Sequence, residues 1–247
     1  IDSLGIKDGK ITNLMNATLS AADLGVGVHI KSADSSASAS VHADELVIEN
    51  SANAGLSILS GTSNSGSIFF GDSGDNDIGY IQYEHSTTNS LYFGTNAGTR
   101  MIIDSTGAVT KPNQPAFQVH PASSQDNVSS GSQVVFGTER FDVNGDFASN
   151  TFTAPVTGKY QLNLNLRVAQ LDQVVYTLFQ IETSNKSYQS IIDSGALDED
   201  ADFWTFNINV LADMDANDTA DVHFYQNGGT AQVDINAESY FSGVLVC

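Results

Sequence analysis

Apolar side chains recur at every second position between residues 160 and 168, in the stretch YQLNLNLRV. This period of two is typical of an extended strand, because successive side chains of a strand point to opposite faces. The stretch WTFNINVLA alternates in the same way and places Trp204, Phe206, Ile208 and Val210 on one apolar face. We therefore expect one face of each strand to be core and the other to be wet, as in an antiparallel β-sandwich.

Composition favours β structure in the rest of the chain as well. Only 15% of the residues are charged, and Asn, Ser, Thr, Gly and Asp take their place, which favours turns and strand edges over helices. Residues 41–111 contain short strand-like pieces such as ELVIEN, GLSILS and GSIFFGD, separated by Gly, Asn or Asp. The sequence therefore predicts an all-β protein with a small β-meander in this region.

Changes in composition divide the chain into four parts. Residues 1–24 show roughly helical spacing, and Pro112 and Pro115 interrupt any strand between the two halves. The predicted division is 1–40, a short helical or extended connecting segment that becomes small and polar after residue 24; 41–111, the small β-module; 112–116, a linker; and 117–247, the β-sandwich.

The balance of charge limits the possible partners. The chain has 9 basic and 29 acidic residues, for a net charge of -20. Phosphate affinity comes from Lys and Arg, so we expect no nucleic-acid partner and no anionic membrane. No apolar run approaches the length of a membrane span, so no membrane insertion is expected. An acidic, lysine-poor surface stays soluble at high ionic strength, which suggests a salty environment such as seawater.

The last apolar stretch, SYFSGVLVC, is apolar on both faces. Phe241 and Leu245 share one face, and Tyr240, Val244 and Val246 share the other. A sandwich strand that is buried on both sides needs a second cover, and a neighbouring subunit can provide it. We therefore expect Tyr240, Val244 and Val246 to lie in an interface between subunits. Cys247 is the single cysteine, so no disulfide can form within the chain.

The half from Phe117 to Val246 resembles the globular head of complement C1q and its tumour-necrosis-factor-like relatives. The matching stretches, in order, are AFQV, VVFGTERFDVNGDF, FTAPVTGKYQLNLNL, LADMDANDTADVHF and SYFSGVLV. The resemblance implies a ten-stranded jelly roll that forms tight homotrimers, with the last strand near the three-fold axis. The chain has no Gly-X-Y collagen repeat, so a role in complement is not implied.

The preceding half resembles modules that end the fibre shaft of bacteriophage tails, in marine phages and prophages. The stretch from GSIFFGD to RMIIDSTGAVT provides this likeness. It implies that 1–40 connects to a shaft, that 41–111 is a fibre module, and that 117–247 is the knob. The expected function is then a receptor-binding tip in the virion, attaching the phage to its host. The expected partners are two further copies of the chain, an upstream fibre or baseplate protein, and a host cell-surface glycan or outer-membrane protein.

Other functions remain open at this point. One is an extracellular bacterial adhesin or lectin-like head of the same fold, and another is a structural trimerisation cap without a ligand. A polysaccharide-degrading tailspike would need paired carboxylates in a groove, usually on a long β-helix, for which these short strands leave no room. The chain contains no Gly-x-Ser-x-Gly elbow, phosphate loop or His-Glu-x-x-His motif, so we expect no enzyme.

Acidic turns are candidate cation sites, because oxygen ligands on a flexible loop suit calcium. The strongest candidate is DMDANDTAD, which contributes Asp213, Asp215, Asp218 and Asp221. GDSGDND at residues 71–77 and the acidic run at 198–202 are weaker candidates. None matches the EF-hand pattern, and a solvated acidic turn is the alternative interpretation. The five histidines are far apart in sequence, and we expect them to be neither catalytic nor metal-binding.

Aromatic residues outside the core are candidate receptor contacts. Alternation assigns Trp204 and Phe206 to the core and Phe203 to the opposite, exposed face. Tyr188 and Tyr225 lie in polar stretches that we expect to form loops. Phe203, Tyr188 and Tyr225 are therefore the candidate contacts.

Overall fold

The computed structural model describes residues 28–43 and 46–247, with side chains from residue 32 onward. The helical segment predicted within residues 1–24 lies outside the described residues. Contacts divide the chain into two units, residues 1–62 and residues 63–247. Within the described residues, no helix has the length and hydropathy needed to cross a membrane.

The first unit contains two short strands, β1 (Val28–Lys31) and β2 (Leu46–Glu49), which pair in parallel. β1 lies in the small, polar part of the connecting segment, where an extended chain but no paired strand was expected. The expectation that β2 belongs to the meander was wrong, because β2 pairs with β1. The predicted strand GLSILS is also absent, since residues 55–60 form no strand. Leu56 and Leu59 are 61% and 91% exposed, so no element among the described residues buries either face of this segment.

A five-stranded antiparallel meander confirms the small β-module. Each strand pairs with the next along the chain. The strands are β3 (Ser65–Phe70), β4 (Gly79–Glu84), β5 (Ser90–Thr95), β6 (Gly98–Ile103) and β7 (Val109–Thr110). Asn96 and Ala97, between β5 and β6, both have positive φ, which suits the tight turn of a twisted hairpin.

The meander has little core of its own. Ile68, Phe69 and Phe70 of β3 are 42%, 53% and 56% exposed, so the apolar side chains of this strand remain exposed on both faces. Among the described residues, no fully buried hydrophobic side chain precedes Phe117. Ile68 and Phe70 therefore form no core in a single chain, because no second layer among the described residues covers the sheet.

Residues 116–245 form a jelly roll of two antiparallel sheets, as predicted, with ten strands in the two sheets and an eleventh, short strand beside them. The strands are β8 (Ala116–His120), β9 (Thr138–Val143), β10 (Phe147–Ala148), β11 (Thr151–Thr153), β12 (Gly158–Leu171), β13 (Thr177–Thr183), β14 (Ser187–Ile192), β15 (Ala201–Met214), β16 (Thr219–Gln226), β17 (Asp234–Ile235) and β18 (Tyr240–Leu245). The β12 sheet has the strand order β15-β12-β18-β8-β9, and the β13 sheet has the order β10-β11-β16-β13-β14. A short strand, β17, extends the β12 sheet by pairing with the end of β12.

The long strands alternate as the sequence predicts. Every second residue of β12 from Tyr160 to Val168 is buried. In β15, Phe206 and Ile208 face the core, but Trp204 is 38% exposed. The assignment of Trp204 to the core was therefore wrong. β15 is the edge strand of its sheet, so Trp204 has a strand neighbour on one side only.

The stretch FTAPVTGKY builds the turn that leads into β12. The ring of Phe152 stacks on Phe117 with centroids 4.6 Å apart, and it lies 5.4 Å from the ring of Tyr160. The Tyr160 hydroxyl donates a hydrogen bond to the carbonyl of Val156 at 2.8 Å. These residues therefore stabilise the core and the turn, and the motif is explained by packing.

Candidate functional site

The outer face of the β12 sheet combines amide and apolar side chains. Gln161 of β12 has Val244 of β18 beside it on one side and Leu211 of β15 on the other. Asn163 occupies the same position in the next row, between Ser242 and Asn209. These two rows contain no charged side chain, which is unusual in a chain with a net charge of -20.

The amides on this face bind one another. Asn165 donates to Oδ1 of Asn207 at 2.7 Å, and Gln161 donates to Oδ1 of Asn163 at 3.2 Å. Charge is found at the two ends of β12, where Lys159 pairs with Asp213 and Arg167 lies 3.9 Å from Glu238. The centre of the face is therefore neutral and internally hydrogen-bonded.

The three residues expected in a subunit interface are exposed in the single chain. Tyr240 and Val244 lie on the outer face of the β12 sheet and are 37% and 38% exposed. Val246 follows the end of β18 and is 53% exposed. Phe241, on the other face of the same strand, is fully buried. The two-sided apolar character of β18 is thus real, and its contact with a subunit remains a prediction.

A second group of polar residues occupies the outer face of the β13 sheet. Glu182 of β13 lies directly opposite Asp221 of β16, and His223 follows two residues later on the same face. Each residue offers one potential metal ligand, and these three atoms lie within 4.8 Å of one another. The three side chains are half-buried. We call Glu182, Asp221 and His223 the β16 cluster.

Neighbouring side chains hold the two carboxylates of the β16 cluster. Oε1 of Glu182 accepts hydrogen bonds from the Tyr225 hydroxyl, at 2.7 Å, and from the Gln180 amide. Oδ2 of Asp221 accepts one from the Gln133 amide at 3.0 Å. The imidazole is less well satisfied, because Nδ1 of His223 is buried without a partner and Nε2 lies 3.5 Å from Oδ2 of Asp221.

Burial and hydrogen bonding shift the pKa values of the two carboxyls in opposite directions. Burial raises the pKa of Asp221, and the charge on His223 offsets part of the rise. Burial also acts to raise the pKa of Glu182, but hydrogen bonds from Tyr225 and Gln180, with the charge on His223, bring it below its usual value. The hydrogen bond to the Glu182 carboxylate is the main reason that the pKa of Tyr225 is raised.

The carboxylates of the predicted calcium turn have different partners. Asp213 pairs with Lys159. Oδ2 of Asp218 accepts hydrogen bonds from the Asn185 amide and the backbone N–H of Asp215, both at 2.8 Å. Asp221 lies in β16 and belongs to the β16 cluster. Three of the four predicted ligands therefore have separate partners, and calcium binding by this turn stays a prediction.

The candidate receptor contacts lie apart from one another. Phe203 is 60% exposed on the β12 sheet, with the Arg167 guanidinium 4.9 Å from its ring centroid. Tyr225 lies on the β13 sheet beside the β16 cluster. Tyr188 packs against the core from β14. The expectation that Tyr188 and Tyr225 lie in loops was wrong, because both lie in strands. The polar residues in these strands make the alternation of apolar side chains hard to recognise in the sequence. The receptor-binding role of all three stays a prediction.

The β16 cluster cannot be recognised from the sequence alone. Asp221 and His223 are two residues apart, so a strand prediction for DVHF would place both on one face. Glu182 is distant in sequence, and only the antiparallel pairing of β13 with β16 brings it opposite Asp221. His223 was expected to be neither catalytic nor metal-binding, and the structure places it beside two carboxylates, which the sequence spacing of the histidines did not indicate.

No protein-family model matches the sequence, and no curated protein matches it. Among solved structures, the globular domain of zebrafish complement 1qA is similar at 15% identity and a TM-score of 0.44, covering 54% of this chain and 98% of that one. Eiger TNF from S. frugiperda has 13% identity and a TM-score of 0.44, covering 55% and 94%. Murine APRIL has 8% identity and a TM-score of 0.41, covering 54% and 99%.

Proposed function

We propose that the chain is a homotrimeric recognition head that forms the receptor-binding tip of a phage tail fibre. In this proposal the outer faces of three β12 sheets meet around a common axis. The remaining surface of the jelly roll then binds a glycan or protein on the host cell. The head binds its target and does not catalyse a reaction.

The observation that supports this proposal most directly is the neutral outer face of the β12 sheet. Copies of a chain with net charge -20 repel one another, so close association requires a face without charge. The centres of protein interfaces are depleted in charged residues and enriched in aromatic ones. Tyr240, Val244 and Leu211 place apolar surface on this face, and they are 37%, 38% and 54% exposed.

The meander gives a second reason to propose several subunits. Ile68, Phe69 and Phe70 leave a continuous apolar run of β3 exposed. A single sheet cannot cover both of its faces, but meanders from neighbouring chains can do so. This need for cover fits a fibre segment, and the resemblance of residues 41–111 to tail-fibre modules is the reason for proposing a phage virion as the setting.

A trimer also suits attachment to a cell surface. Three identical sites on one rigid head can engage several receptors together, which raises avidity by about 10²–10⁴ over a single site. An extracellular bacterial adhesin would use the same physics, and a structural cap would bind no receptor. The experiment below distinguishes the cap from the two recognition proteins, and detection of the chain in purified virions distinguishes the phage from the adhesin.

The test is adsorption of the fluorescently labelled full chain to a panel of marine bacteria. Cells are compared untreated, after periodate, and after protease, so that loss of binding identifies a glycan or a protein receptor. We expect saturable binding to a subset of strains and competition by the unlabelled chain. Absence of saturable binding to every strain, by a chain shown to be trimeric, would favour the structural cap.

A further inference from the structure

We propose that Glu182, Asp221 and His223, the β16 cluster, bind a divalent transition-metal ion of the zinc type. The site lies on the outer face of the β13 sheet. The proposed trimer contact lies on the outer face of the other sheet, so the metal site does not depend on it. Nothing in the proposed recognition function requires this ion, and the inference rests on the cluster alone.

The donor set favours a transition metal over calcium. One imidazole and two carboxylates provide nitrogen and oxygen ligands, a combination that suits zinc and its neighbours. Calcium prefers six to eight oxygen ligands and does not use imidazole. The cluster therefore selects a different ion from the one that the acidic turn at 213–221 suggested.

The backbone places the three ligands before any ion binds. Asp221 and His223 share one face of β16, and Glu182 lies directly opposite Asp221 in β13. The ligand atoms lie within 4.8 Å of one another, whereas ligands about 2.1 Å from a tetrahedral zinc ion are about 3.4 Å apart. Side-chain rotations can bring the ligand atoms to this spacing, because the paired strands already place the three side chains on one face.

The charges of the cluster are poorly balanced without a cation. Like charges directly opposite each other in an antiparallel pair destabilise the sheet, and Glu182 and Asp221 are such a pair. The neighbouring imidazole of His223 has no hydrogen bond at Nδ1, which is buried. Its Nε2 is 3.5 Å from Asp221, beyond a good hydrogen-bond distance. A bound divalent ion neutralises both carboxylates and gives the imidazole a partner.

The surrounding residues resemble the support that metal ligands normally have. Carboxylate ligands are usually fixed by further hydrogen bonds, and these orient them for the ion. Here Tyr225 holds Glu182 and Gln133 holds Asp221, at 2.7 Å and 3.0 Å. Three protein ligands leave a coordination position for water or for an oxygen atom of a ligand at the surface.

Zinc binding to the full chain tests the proposal. All proteins contain Cys247→Ser, because the exposed thiol is itself a zinc ligand. The chelator-stripped protein is titrated with ZnCl₂ by calorimetry at pH 7.5, and binding is compared with His223→Gln, Glu182→Gln and the control His120→Gln. His120 lies in β8, in the other sheet. Far-UV circular dichroism verifies that each variant is folded.

We expect one strong zinc site per chain. His223→Gln and Glu182→Gln should each weaken it by at least about tenfold, and His120→Gln should leave it unchanged. Binding should also weaken at pH 5, because protons compete for the ligands. The proposal is wrong if zinc does not saturate, or if both cluster variants bind as tightly as the control. Should His223→Gln fail to fold, Glu182→Gln decides, since its amide oxygen can still accept the hydrogen bond from Tyr225.

Discussion

Gly243 of β18 lies directly opposite Phe117 of β8, and the ring of Phe117 occupies the space where a side chain at position 243 would begin. A Cβ at this position would lie 2.5 Å from Cε1 of Phe117 and 2.9 Å from Cδ2 of Leu162. The Phe-Ser-Gly stretch near the end of the chain is therefore explained by packing. Phe117 in turn contacts Phe147, Phe152 and Phe241, so a displaced ring disturbs the aromatic core.

We predict that Gly243→Ala destabilises the jelly roll by about 1–3 kcal/mol, the usual cost of overpacking a core. Urea unfolding monitored by tyrosine and tryptophan fluorescence measures the change. The matched control is Gly55→Ala, because a Cβ at position 55 meets no atom within 4 Å. If both substitutions had the same effect on the unfolding midpoint, the close approach of Phe117 to β18 would be wrong.

A charge placed on the neutral outer face of the β12 sheet should separate the subunits. We predict that Val244→Lys weakens self-association by at least about tenfold, because each trimer would bury three ammonium groups near one another. Val175→Lys is the control, since Val175 is 64% exposed and lies between β12 and β13. Sedimentation equilibrium over a range of concentrations measures both. Equal association of the two variants would show that Val244 is not in the interface.

The turn after β4 should respond to strong acid. Hydrogen bonds from the hydroxyls of Ser86, Thr88 and Thr87 lower the pKa of Glu84 from 4.5 to about 2. Because the folded-state pKa is the lower one, these bonds stabilise the turn above about pH 4.5, and their contribution is lost as the pH falls through about 2. An NMR titration of the Glu84 carboxyl carbon should have its midpoint near pH 2, and Ser86→Ala should raise it. A midpoint near 4.5 would contradict this hydrogen bonding.

The two halves of the chain should differ in their ability to fold alone. The jelly roll has a core of buried aromatic and aliphatic residues, whereas no fully buried hydrophobic residue precedes Phe117 in the described part of the chain. We predict that residues 115–247 melt cooperatively when expressed alone and that residues 1–111 do not. Scanning calorimetry of the two fragments measures this. A cooperative transition in the first fragment beside an unfolded second would reverse the expected dependence.

The features predicted correctly from the sequence are those with a strong local pattern. The alternation predicted for β12 is confirmed. Its outward residues, Gln161, Asn163 and Asn165, are polar and its inward leucines are apolar, so the two faces differ in the sequence itself. The two-sided character of β18 is equally local. The tail-fibre setting and the trimer cannot be read from strand periodicity and stay predictions.

The errors concern features that depend on neighbours in space. Trp204 follows the apolar period of β15 but lies on an edge strand, so it stays partly exposed. GLSILS has the composition of a strand but pairs with no strand in the described part of the chain. The β16 cluster needs the pairing of β13 with β16, and no short stretch of sequence contains both Glu182 and His223. Local periodicity determines which face a side chain takes, whereas sheet position and strand pairing determine what it meets there.

The mass of the full chain in solution decides whether the protein is a trimer. Light scattering coupled to gel filtration, at micromolar concentration and moderate salt, gives this mass without reference to shape. We predict a single species of three times the chain mass of 26.2 kDa. A monodisperse species of 26.2 kDa, or of twice that value, would contradict it.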